Sequence, residues 1–422
     1  MIPSDEYASR RKLLFSKMKD NSACILFSGQ EITKSASSKY PFFVNRNFYY
    51  LTGICRDNCI LLLIKSASEL KEFLFIEEDN EAKEKFTGKR LSFEKAEILS
   101  GIQNCLLISS FNSRINFYLS PTNLVDALDT LYLDDYENVD LKIFDNMYLK
   151  DYSATIFNEY PNVEIVDIHD TLAALRNIKS NLEVNEIKEA VRRNIISMQA
   201  TMKEIRPNQK LYELGIKYIN SSLENNEYED FPVDPVLAIN KDACILKNRN
   251  YAERLGNGDL VLLEGCATSN LYNSRLCRVY PSGGTFDNVQ KKIYRIVLMC
   301  ENVLINSLNL GVPLSEIQAI GYQFLARECQ KEGLINKPED IKKHIYHNLI
   351  QNVGLDIPDL GNKNQVIEKG NILSISPGLY FPSLNIGIRL SDMVYVNGKG
   401  NEILSNSLIK EIDEIEQFYR GN

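Results

Sequence analysis

The sequence predicts an α+β protein of two domains: an N-terminal α/β domain, then a larger domain in which two similar hairpins suggest a pseudo-twofold β-sheet. Three observations predict this. Strand-length apolar runs alternate with helical patterns to about residue 170. A long amphipathic pattern from Asn181 to Ile205 then breaks that rhythm. Beyond it, Gly258-Asp259-Leu260-Val261-Leu262-Leu263-Glu264-Gly265 returns in type and spacing as Gly370-Asn371-Ile372-Leu373-Ser374-Ile375-Ser376-Pro377-Gly378.

Taken in order, Ser4 caps a first helix, with Asp5 and Glu6 in its first turn and Leu13, Leu14, Phe15 and Met18 on its apolar face. Ala23-Cys24-Ile25-Leu26-Phe27 reads as a buried strand ended by Ser28-Gly29. Asn47-Phe48-Tyr49-Tyr50-Leu51-Thr52-Gly53-Ile54 follows, and Cys59-Ile60-Leu61-Leu62-Leu63-Ile64 is the next strand. In the long helix, Asn181 is the predicted cap and Pro207 the stop. Its charges (Glu183, Glu186, Lys188, Glu189, Arg192, Arg193) interleave with Ile187, Val191, Ile195 and Met198. The domain boundary is expected just before it, near residues 172–180, dividing 1–175 from 176–422.

Two further helices are expected, from Thr285 to Gly311 and from Pro313 to Gly333. In the repeat, each Gly-Asx turn opens an apolar strand, and Glu264 and Ser376 both fall six residues after the turn glycine. Each strand is followed by a second, carrying Arg275 and Ser391 respectively. Either the two hairpins form a pseudo-twofold sheet around a central cleft, or they are ordinary hairpins that look alike.

Composition narrows the function classes. With 44% hydrophobic and 25% charged residues in 422, the chain reads as soluble and globular. A net charge of −8 argues against a nucleic-acid partner. No apolar run approaches the ~18 residues of a membrane span, so no membrane partner is expected. Met1-Ile2-Pro3-Ser4-Asp5-Glu6 is unlike a secretory signal. Nine cysteines lie without a repeated pair motif, and Cys55 and Cys59 are too far apart for a Cys-x-x-Cys. An odd count fits reduced thiols in a cytoplasm. His169, His344 and His347 are the only histidines, too few for a histidine-rich metal centre.

Several segments carry a family likeness. They are Asn47 to Ile54, Pro281-Ser282-Gly283-Gly284-Thr285-Phe286 with Gln290 and Tyr294, Val353-Gly354-Leu355-Asp356, Pro377-Gly378-Leu379-Tyr380, and Gly387-Ile388-Arg389-Leu390. In order and register, over nearly the whole chain, they resemble motifs of the aminopeptidase P and prolidase family. The resemblance implies the creatinase or "pita-bread" fold: a creatinase-type aminopeptidase P N-terminal domain, then a pita-bread domain with helices flanking a pseudo-twofold curved sheet.

Active members of that family hold two divalent ions, usually manganese, with two Asp, one His and two Glu. The ions acidify a bridging water and polarise the scissile carbonyl. By the same resemblance, all five ligand positions have changed here. The first Asp becomes Glu264 and the second Arg275. The His becomes Gln351, and the two Glu become Ser376 and Ser391. A guanidinium donates hydrogen bonds and ligates no cation. Glu264 alone stays a carboxylate, one methylene longer. Asp392 and Asp356 are poor substitutes, since a strand neighbour points to the opposite face. Two substrate-contacting histidines of the family are replaced by Lys247 and Pro358, while His347 and Arg389 match family residues and are candidate ligand contacts.

These substitutions imply no metal cofactor. Arg275 is expected to reach into the former metal site and pair with Glu264, with Gln351, Ser376 and Ser391 completing its hydrogen bonds. The expected function is that of a pseudo-enzyme that binds a peptide or protein in the remnant cleft, as a homodimer or paired with an active paralogue. The alternatives are a manganese-dependent Xaa-Pro aminopeptidase or prolidase with a displaced site, and a metal-free hydrolase using Cys266 or Cys277. The latter has only His347 near the cleft and no Cys-His-Asx spacing, so packed thiols are the plainer reading.

Overall fold

The computed structural model describes residues 2–421 apart from 67–68, 79, 121–126, 135–151, 153–154, 157, 225–234 and 363. The chain forms two compact units, Met1–Arg176 and Asn177–Asn422.

The first unit is built on a six-stranded mixed sheet. Its strands are β1 (Ser22–Phe27), β2 (Ile60–Lys65), β3 (Leu70–Ile76), β4 (Cys105–Leu107), β5 (Thr130–Leu133) and β6 (Glu164–Asp167), in the order β4-β3-β2-β1-β5-β6. β1 to β3 pair antiparallel, while β4, β5 and β6 join parallel to their neighbours. Ile25, Leu62, Phe75 and Leu131 form one buried cluster with Phe111, Ile115, Tyr118 and Leu119 of the helix Phe111–Leu119.

The first helix is Ser4–Lys17, and the extended residue Pro3, not Ser4, stands at its N-cap without a side-chain bond. From it, the fully buried Arg11 donates to the carbonyls of Leu51 (2.8 Å) and Ser100 (3.0 Å). These are final-turn carbonyls of the helices Arg46–Thr52 and Phe93–Ser100, which have no partner within their own helix. The Asn47–Ile54 segment is thus a short helix, capped by Asn45 and ended by Gly53 at φ +69°. A Cβ at Gly53 would run into the Tyr7 ring.

In the second unit, the long helix is Asn181–Met202. Ser180, not Asn181, caps it: the Ser180 hydroxyl accepts from the Glu183 N–H, and the Glu183 carboxylate returns the bond to Ser180 N–H. The expected 285–311 helix runs Asn288–Asn306, because Asp287 caps it and Gln290 closes the box. The next helix is Leu314–Lys331, with Pro313 at its N-cap.

One three-stranded sheet has the order β9-β8-β7, from β7 (Val236–Ile239), β8 (Leu260–Ser269) and β9 (Tyr272–Pro281). The second repeat supplies β10 (Ile350–Asn352), β11 (Ile372–Ile375), β12 (Gly378–Phe381), β13 (Ile386–Arg389), β14 (Asp392–Val396) and β15 (Asn401–Ile403). Here the long hairpin is broken in the middle. β11 pairs with β14 in a β10-β11-β14-β15 sheet, and β12 pairs with β13 as a separate ribbon. Pro377 has no N–H for the ladder, so only its carbonyl is used, by Leu390 N–H at 3.2 Å. Ser391 therefore lies in the break rather than within a strand, and its two backbone bonds to Cys277 (3.0 and 3.4 Å) join the two repeats.

Candidate functional site

The β8/β9 hairpin places the first two positions. Its register sets Glu264 opposite Cys277 and Cys266 opposite Arg275. With a side-chain period of two, these four residues share one face, and Gly265 and Ser274 take the other. The second face is pinned to the long helix. Asn194 donates to the Gly265 carbonyl (2.8 Å) and the Ser274 hydroxyl (3.2 Å), and Tyr218 donates to Asn194 Oδ1 (2.8 Å). A Cβ at Gly265 would collide with Asn194 Oδ1 and the Tyr218 ring. The strand thus sits close to the helix, and the Glu264 backbone is held in place.

On the first face, Arg275 Nε donates to Glu264 Oε1 at 2.7 Å, and Arg275 Nη1 donates to Gln351 Oε1 at 2.7 Å. Gln351 comes from β10, so the second repeat supplies this acceptor. Arg389, at the end of β13, pairs through Nη2 with the other oxygen of Glu264. One carboxylate therefore lies between two guanidiniums. Arg389 and Glu264 are buried, with side-chain exposures of 3% and 8%, whereas Arg275 is 20% exposed. Burial pulls Arg389 down to about 10, which leaves it charged at neutral pH.

The two serines do not complete the Arg275 guanidinium. Ser391 Oγ shares a hydrogen bond with Ser374 Oγ (2.9 Å) and donates to the backbone carbonyl of Arg275 (3.4 Å). Ser376 bonds through its backbone N–H to the Leu349 carbonyl at 2.7 Å. Neither serine hydroxyl bonds the guanidinium among the described residues. Gln351, two atoms longer, reaches it.

His347 lies just before β10, the strand that carries Gln351. Its Nδ1 bonds to the Asn348 carbonyl (2.9 Å), which makes Nδ1 the donor and leaves Nε2 to accept from the Tyr380 hydroxyl (2.7 Å). Burial chiefly, with the Arg275 charge in the same direction, pulls the imidazole below its usual range, so His347 is neutral near pH 7. Tyr380 is buried and stacks on Tyr346 at 4.8 Å between ring centroids. Sequence reasoning placed Tyr380 within a motif but gave it no role. A phenol two residues after the motif glycine Gly378 was the available signal. Lys247 is exposed in the turn after Asn240–Cys244, and Pro358 is exposed in the bend before Asp359; no hydrogen bond joins either to the Glu264 cluster among the described residues.

Asp392 points away, as strand alternation requires. It is fully buried and bonds Arg278 (2.5 Å), Lys410 (2.6 Å) and Ser405 (2.8 Å), and Lys410 also meets Glu301 at 2.9 Å. Burial works against its charge, but Arg278 and Lys410 hold it below the usual carboxylate range. Burial first, then the Asp392 charge, push Glu301 up to about 7. Asp356 lies in the Gly354–Pro358 bend and its carbonyl accepts from Gly354 N–H at 3.3 Å. Burial pushes the Cys266 and Cys277 thiols up to about 11 and about 12, away from the thiolate a nucleophile needs.

The five residues that the resemblance sets at the family's ligand positions thus supply one carboxylate, one amide, two hydroxyls and a guanidinium. That set does not fit two divalent ions, which need several anionic oxygens around them. Among the described residues, no group of three or more His, Cys, Asp or Glu converges as a metal site.

Comparison with known proteins agrees with the fold. Residues 185–398 match the model of metallopeptidase family M24, and residues 7–125 match the aminopeptidase P N-terminal domain. The Xaa-Pro aminopeptidase of Haemophilus influenzae is 26% identical, over 99% of this chain and 97% of that protein. Intermediate cleaving peptidase 55 of Schizosaccharomyces pombe is 25% identical over 98% of this chain and 87% of its own length. A solved structure assigned as an aminopeptidase P from Bacillus anthracis superposes with a TM-score of 0.92 at 33% identity, over 100% of this chain and 99% of that one. The Escherichia coli aminopeptidase P shares the fold, with a TM-score of 0.88 at 24% identity. The two domain matches and the likeness along the whole chain place the protein in metallopeptidase family M24, in its aminopeptidase P form.

Proposed function

We propose that the protein is a binding member of this family that takes no dinuclear metal and retains a peptide in its cleft without hydrolysing it. One observation carries the reading: Arg275 spans from Glu264 to Gln351, so a fixed cation joins two of the positions that, by resemblance, surround the ions of active members. Two divalent ions placed beside it would meet like charge, with only Glu264 to neutralise them. The likeness to Xaa-Pro aminopeptidases favours the second reading, an active manganese-dependent enzyme whose site is displaced from Glu264.

Manganese loading of the full chain, removal of free ion and mass-spectrometric metal analysis separate the two, together with proline release from an Xaa-Pro peptide. The binding reading expects no retained manganese and no proline. Two retained ions and manganese-dependent release would overturn it. The same reading expects a cytoplasmic protein whose partner is a second copy or an active relative, which light scattering and co-purification test.

A further inference from the structure

We infer that the Arg275–Arg389 cleft takes an anion, and that its ligand class is a single carboxylate presented by a peptide. Two guanidiniums share one carboxylate at this site, which leaves one positive charge in excess. His347, whose Nε2 is engaged by Tyr380, supplies no negative charge to offset it. Asp392 does not either, because it is bound to Arg278 and Lys410. An excess charge held this deep is costly unless an anion joins it.

Two donors independently point to a ligand. Among the described residues, the buried Nε of Arg389 has no hydrogen-bond partner. On Arg275, Nε and Nη1 are engaged by Glu264 and Gln351, while Nη2 makes no hydrogen bond among the described residues and the side chain is 20% exposed. Arg275 is therefore anchored through two nitrogens and open at the third, a preorganised donor for a carboxylate oxygen. One excess positive charge and one free nitrogen suit a singly charged carboxylate better than a phosphate, which carries nearly two negative charges near neutral pH.

The inference rests on the binding reading above, but the two fail separately: manganese loading decides the first, and a titration in chelator decides this one. The full chain is titrated calorimetrically, in chelator at low salt, with four probes. These are a short acetylated peptide with a free C-terminal carboxylate, the same peptide as its C-terminal amide, that amide with an internal glutamate, and inorganic phosphate. The expected result is that one of the two carboxylate peptides binds at least about tenfold more tightly than the plain amide, and that added salt weakens it. Preference for the free acid assigns the ligand's terminus, and preference for the internal glutamate assigns an acidic side chain. In Arg275→Gln the advantage over the amide is expected to disappear. Equal affinities for all peptides, binding of phosphate alone, or an undiminished preference in a folded Arg275→Gln would each overturn the inference. Should that variant fail to fold, the acid-to-amide ratio on the unaltered chain decides alone.

Discussion

Arg275 Nε sits 2.7 Å from Glu264 Oε1, diagonally across one hairpin, with both side chains on the face that looks toward the second repeat. Arg389 binds the other oxygen of the same carboxylate. Glu264 is thus the shared counter-ion of two strands from different halves of the domain, and the charge of the whole cluster depends on it.

Replacing Glu264 by Gln leaves two guanidiniums, one of them buried, without a carboxylate. Removing one partner of a buried pair costs about 3–5 kcal/mol, so Glu264→Gln is expected to lower the urea midpoint by a corresponding amount. A variant as stable as the parent would mean that the pair is not formed in solution.

Restoring the ligand set is expected to need all five positions together. Arg275→Asp alone adds one carboxylate among an amide and two hydroxyls, and should retain no manganese. The combination Glu264→Asp, Arg275→Asp, Gln351→His, Ser376→Glu and Ser391→Glu should bind about two divalent ions, because it supplies the anionic oxygens that neutralise them. Metal analysis checks both, and strong binding by Arg275→Asp alone would contradict the charge argument.

The buried Arg278–Asp392–Lys410–Glu301 network sets a pH dependence. Glu301 is raised to about 7 by burial and by Asp392. Between its unfolded range and about 7 the folded state holds a proton that the unfolded state has lost, so this group's contribution to stability falls as pH rises through that window. Asp392, held low, acts the other way: its contribution is lost only as the solution becomes strongly acidic. Urea titrations across pH should show the first decline in the parent and its loss in Glu301→Gln. An unchanged pH profile in the variant would remove Glu301 as the cause.

Gly265 is a spacing device. In Gly265→Ala the new methyl meets Asn194 Oδ1 and the Tyr218 ring. Overpacking of this kind costs about 1–3 kcal/mol, and here it should also push apart the helix and the strand that carries Glu264. Thermal melting reads the first effect, and weaker binding in the cleft reads the second.

Local chemistry made much of the fold legible. The apolar runs at Cys24–Phe27 and Ile60–Ile64 are strands of the first sheet, and the glycine-turn repeat marks the opening strands of both hairpins. The misses were local as well. Ser180 captured the long helix's cap from Asn181 because its hydroxyl and Glu183 close a reciprocal pair. Asp287 likewise moved the start of the next helix. At the site, two-residue alternation on a hairpin is readable in advance, and it puts Glu264 and Arg275 on one face.

The sequence by itself determined the family fold and, through the resemblance, which residue types are expected at the family's ligand positions, because residue type and order are local information. Only the tertiary structure decided which neighbours those side chains meet. Gln351 reaches Arg275, whereas the Ser391 hydroxyl turns to Ser374 and to the Arg275 carbonyl. Arg389 comes from a ribbon separated from β8 by more than a hundred residues to take the second oxygen of Glu264. Such pairings follow from how a sheet bends at Pro377 and where its broken strands are rejoined at Cys277 and Ser391, and no local pattern encodes that bend.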